Sequence, residues 1–67
     1  MDWNELQTAT QRAVMLMGKH GVYSSGAHFT LMISTMWNTL TPEKQQEYRK
    51  TFKAWGTEYL LDEELDK

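Results

Sequence analysis

Two histidines, two closely spaced carboxylates and a scatter of cations are the side chains here with the most chemistry to offer. His20 and His28 stand eight residues apart, without the i, i+4 spacing that sets two imidazoles on one helix face around a metal ion. Their expected use is loop hydrogen bonding or surface polarity. Glu43 and Glu47 are four apart on one exposed helix face, with no sign of a pocket around them. There is no cysteine to serve as nucleophile, thiolate ligand or disulfide partner. No serine lies in a recognisable nucleophile elbow, and no glycine-rich loop is built to hold phosphate. The chemistry expected is therefore binding rather than catalysis, with no metal, no cofactor and no small-molecule substrate.

The cations are the stronger candidates for a site. From Leu6 to Thr57 six basic residues (Arg12, Lys19, Lys44, Arg49, Lys50, Lys53) face two acids (Glu43, Glu47), a balance of +4 inside a chain whose formal net charge is −2. From Glu58 to Asp66 there are five acids and no base. A mildly basic body thus precedes a short acidic tail over 58–67. That tail reads as a solvated, fraying end, or as an internal mimic of a polyanion that competes for the basic face. For Arg49, Lys50 and Lys53 the plainer use is a solvated helix face paired with Glu43 and Glu47.

These side chains need helices to position them, and 67 residues allow one small domain, near the lower limit for a chain folding alone. Three Trp, three Tyr and two Phe supply the bulk such a core requires. The pattern predicts an all-α fold of three helices, over about 3–17, 25–39 and 42–60. Asp2 caps the first, with Glu5 three residues on; Gly18 and Gly21 stop it. Ser24 or Ser25 caps the second. A strand is the competing reading for the apolar stretch from Phe29 to Trp37, but its helical periodicity prevails. Thr41-Pro42-Glu43 is a strong start for the third. Trp37, Tyr48 and Tyr59 are spaced by eleven, almost three helical turns. The predicted core is Trp3, Phe29, Ile33, Trp37, Leu40, Tyr48, Phe52, Trp55 and Tyr59. Gly56 marks a close approach to another helix or an early end.

Phe29, Trp37, Leu40, Thr41, Lys44, Tyr48 and Tyr59, in that order and spacing, make residues 29–59 resemble a high-mobility-group box. The resemblance implies an L-shaped three-helix domain that holds the DNA minor groove by shape and bends the duplex. It implies phosphate contacts from Arg12, Lys19, Arg49, Lys50 and Lys53, with His20, His28 and Asn38 as weaker polar candidates. The family's basic, proline-containing leading strand has no counterpart before Trp3, so the long wing would be truncated. Gly26 and Ala27 stand where some members carry a second apolar wedge; in the first helix Met15 or Leu16 would have to serve. With so few cations, binding to double-stranded DNA is expected to be weak, shape-directed and steeply salt-dependent.

The alternative is a small protein-interaction module, of the kind that phages and mobile elements use to regulate or inhibit a larger protein. Leu31, Met15, Leu16, Tyr23, Leu60, Leu61 and Leu65 exceed what three short helices can bury, and exposed Met and aromatic groups make adaptable contact surfaces. A homodimer seam is another use for them. The acidic start is unlike a signal peptide, and the longest apolar run, Ala13 to Met17, is far short of a membrane span. An intracellular, non-secreted protein without a membrane partner is expected.

Overall fold

Local capping chemistry cuts the chain into its helices. The structure, a computed structural model, describes residues 2–66. Asp2 caps α1 (Trp3–His20) by accepting the Glu5 amide at 2.8 Å. The helix does not stop at Gly18. It runs on until Gly21 turns left-handed at φ 69° and donates its N–H to the Met17 carbonyl. Ser24 caps α2 (Ser25–Thr35), accepting the Ala27 amide at 3.1 Å.

The expected run of α2 to residue 39 is also corrected. After Thr35 the chain tightens into a 3₁₀ turn over Trp37–Thr39. Side-chain hydroxyls account for the change: Ser34, Thr35 and Thr39 each donate to the carbonyl three residues back, at 2.6, 2.7 and 2.7 Å. Among the described residues there is no strand.

Thr41 caps α3 (Pro42–Trp55), accepting the Lys44 amide at 3.3 Å, with Pro42 in the first turn. Gly56, left-handed at φ 78°, ends it. A fourth helix, α4 (Glu58–Leu65), follows at once. The single third helix over 42–60 is therefore two helices. The all-α expectation stands, with four α-helices among the described residues instead of three.

The acidic segment is not a fraying tail, because α4 buries Leu60 and Leu61 completely. α2 lies at the centre. On one side Ala13 of α1, Ala27 and Leu31 of α2, and Leu60 of α4 close a seam of small and aliphatic groups. On the other, Ala9, Ile33, Met36, Phe52 and Leu61 form the second buried cluster, flanked by Phe29, Trp37, Leu40 and Tyr48. The Phe29 ring lies 5.8 Å from Tyr48 and 6.0 Å from both Phe52 and Trp55. Such tilted pairs add to what area burial alone gives. Thr30, fully buried, bonds the Gly26 carbonyl at 2.8 Å and the Thr57 hydroxyl at 2.7 Å, pinning α2 to the joint between α3 and α4.

Three predicted core aromatics lie elsewhere. Trp3 is 69% exposed, because α1 meets α2 through Ala9 and Ala13, off the indole's face. Tyr59 is exposed because the bend at Gly56 resets the helical register, turning Leu60 and Leu61 inward in its place. Trp55 is 51% exposed, although its ring packs on Phe29 and Phe52 and lies over Gly26. The body measures 29 × 28 × 22 Å.

Candidate interaction surface

The cations predicted to hold phosphate divide between two helices. Arg12 and Lys19 are on α1; Arg49, Lys50 and Lys53 are on α3. Two of the five are engaged by α4. Lys19 Nζ lies 3.3 Å from Glu64. Arg49 donates from Nη1 to Asp62 at 2.8 Å and to Glu58 at 3.2 Å, and its guanidinium sits 5.5 Å over the Trp37 ring. The hydrogen bond that Asp62 accepts raises the Arg49 pKa above its ordinary value; burial opposes this and Glu58 reinforces it. The guanidinium is thereby engaged by α4.

His20, the last residue of α1, is drawn into the same seam. Its Nδ1 lies 3.1 Å from Glu63 and its Nε2 2.7 Å from Glu64. The acids of α4 thus bridge to both cation-bearing helices, a pairing the sequence reading reached only as a polyanion mimic. The anticipated pairing of Arg49 with Glu43 and Glu47 does not form; Glu47 bonds Lys44 at 3.3 Å instead. Lys50 and Lys53 face water and, with Gln46 and Arg49, line a shallow depression of about 330 Å³. Arg12 borders a different one with Asp2, Glu5 and Thr35. Asn38 is exposed in the 3₁₀ turn.

A second surface is apolar. Ala9, Ala13, Leu16 and His20 recur at helical spacing and turn toward the rest of the protein. Rotated from them by about a quarter turn is the column Trp3, Leu6, Thr10, Val14 and Met17. Of this column, sequence reasoning assigned Trp3 to the core. In the structure Trp3 and Val14 (58% exposed) are open, while Leu6, Thr10 and Met17 are half-buried. At its C-terminal end Val14, Met17, Gly18, Tyr23 and His28 line a depression of about 370 Å³. Met15 is exposed on another side of α1, and Leu16 is half-buried against the cluster of Ala13, Ala27, Leu31 and Leu60.

Among the described residues no group of three or more His, Asp or Glu is placed to hold a metal ion. Among the described residues no helix is long and apolar enough to cross a membrane. The chain matches no protein-family model, no curated protein and no solved structure.

Proposed function

We propose that this chain is a non-enzymatic protein-interaction module that contacts its partner through the exposed apolar column of α1. The observation that carries the reading is that Trp3 and Val14 stand in water on one face of α1, Trp3 beside Leu6 and Thr10 at one end and Val14 beside a depression that ends at Tyr23 at the other. An indole left exposed forgoes much of the roughly 150–250 Å² it can bury, and interface anchors are drawn from such groups.

DNA binding is the second reading. The box-like run of residues 29–59 supports it, as does the shelf of Lys50, Lys53 and Arg49 on α3. It ranks second on electrostatic grounds. Each phosphate contact needs a cation to displace a counterion, and α4 already occupies Lys19 and Arg49. Any residual binding would rest on Arg12, Lys50 and Lys53, and would fade with salt.

Fluorescence anisotropy against labelled duplex and four-way-junction DNA, from low to physiological salt, tests the order of the two. No binding at physiological salt, and at most weak binding below it, is the expected result. Tight junction binding that weakens steeply with salt would reverse the order. Capture of protein partners by the wild-type chain and by Val14→Glu tests the surface itself. Equal capture by the two would remove the α1 column from the reading.

A further inference from the structure

We infer that the apolar column of α1 is the seam of a symmetric antiparallel dimer, its occupant being α1 of a second copy of this chain. The inference rests on the reading of that column as a contact surface and adds the partner and the register.

The column reads the same in both directions. Trp3, Leu6, Thr10, Val14 and Met17 are spaced by three, four, four and three, a palindrome centred on Thr10. A two-fold contact requires that if residue i of one protomer meets j of the other, then j meets i. Antiparallel helices crossing at Thr10 meet that condition throughout: Trp3 faces Met17, Leu6 faces Val14, and Thr10 faces its own copy.

Three features of the monomer suit this arrangement. The first is Gly18. It lies inside α1 without a positive φ, and a Cβ built on it would meet nothing within 4 Å. A glycine there costs about 1 kcal/mol relative to alanine, and nothing within the chain requires it. In the dimer it lies beside Met17, where the Trp3 indole of the partner helix would arrive, and its missing side chain leaves room for the ring.

The second is Thr10, at the axis. Its hydroxyl already donates to the Leu6 carbonyl at 2.9 Å and lies 3.6 Å from the Met32 sulfur. It can therefore be covered without stranding a polar atom.

The third is charge. Glu5, Arg12 and Lys19 recur at seven-residue spacing and form a separate column, about 160° round the helix from the apolar one at 100° per residue. No ionised side chain enters the seam. Antiparallel pairing also sets the positive N-terminal end of each helix dipole beside the negative C-terminal end of the other.

The absence of cysteine makes the register directly readable. Light scattering and sedimentation on the wild-type chain, from low micromolar to millimolar, are expected to show a reversible monomer–dimer equilibrium. Thr10→Cys, oxidised under mild conditions, is expected to give a disulfide-linked dimer. Met15→Cys, exposed on another side of α1, is expected to stay monomeric under the same treatment. Gly18→Leu is expected to weaken the dimer at least tenfold with unchanged helicity. A chain monomeric throughout the range would overturn the second-copy assignment. If Val14→Glu nevertheless abolished capture of other proteins, the column would remain a contact surface with a different partner. A dimer that crosslinks through Met15→Cys and not through Thr10→Cys would overturn the register.

Discussion

Around Phe52, α2 and α3 meet through four aromatic rings; around Ala13, α1, α2 and α4 meet through alanines and leucines. The ring cluster is open at its margin: Phe52 is fully buried, yet Trp55 beside it is half in water. The alanine seam is closed, with Ala13, Ala27, Leu31 and Leu60 almost wholly buried. The first region gains its energy from large groups that keep some freedom at the edge. The second gains it from close approach, which small side chains permit because the distance between helix axes follows the groups at the contact. Opposite changes should therefore break them.

Removing volume is the sharper blow to the ring cluster. Phe52→Ala is expected to cost about 3–5 kcal/mol. That rivals the whole stability of so short a chain, at roughly 0.05–0.15 kcal/mol per residue. Circular dichroism should show a largely unfolded variant; a cooperative transition at the wild-type midpoint would mean that the rings contribute little. Adding volume should trouble the alanine seam. Ala13→Leu is expected to destabilise by about 1–3 kcal/mol through overpacking, read as a lowered urea midpoint. A neutral outcome would show that α1 can ride outward, and the contrast between the regions would weaken. The smallest effect belongs outside both. Lys50→Ala, on the solvent side of α3, should change stability by no more than about 0.5 kcal/mol, and a larger loss would place its stem inside the ring cluster.

The same contrast explains what the sequence made legible. Asp2, Ser24 and Thr41 cap where expected because capping is settled within three or four residues. Ile33 and Phe52, large and apolar in strongly periodic stretches, could be assigned to a buried face, and the structure buries both. The alanine seam gave no comparable signal. Hydrophobic bulk drew attention to Trp3, whereas the face that α2 covers is marked by Ala9 and Ala13, whose importance lies in being small. Gly56 carried two readings, and only the left-handed turn decides between them. Leu60 and Leu61 were masked by neighbouring acids, since a run of carboxylates looks solvated until the cations that meet it are located. For the site, the spacing of Lys19 and Arg49 along the chain holds no record of Glu64 and Asp62 folding back on them.

Three tryptophans at three depths also make the chain its own optical gauge. Trp3 stands in water on α1, Trp37 lies half-covered beneath a guanidinium, and Trp55 shares its ring faces with two phenylalanines. Indole emission shifts to longer wavelength as the ring meets water, so each should report a different boundary of the molecule. A chain keeping Trp55 alone would follow the parting of α2 from α3. One keeping Trp37 alone would sense whether the last helix still holds its arginine in place. One keeping Trp3 alone would stay nearly silent through unfolding of an isolated molecule, and would shift toward the blue only where something else came to cover it.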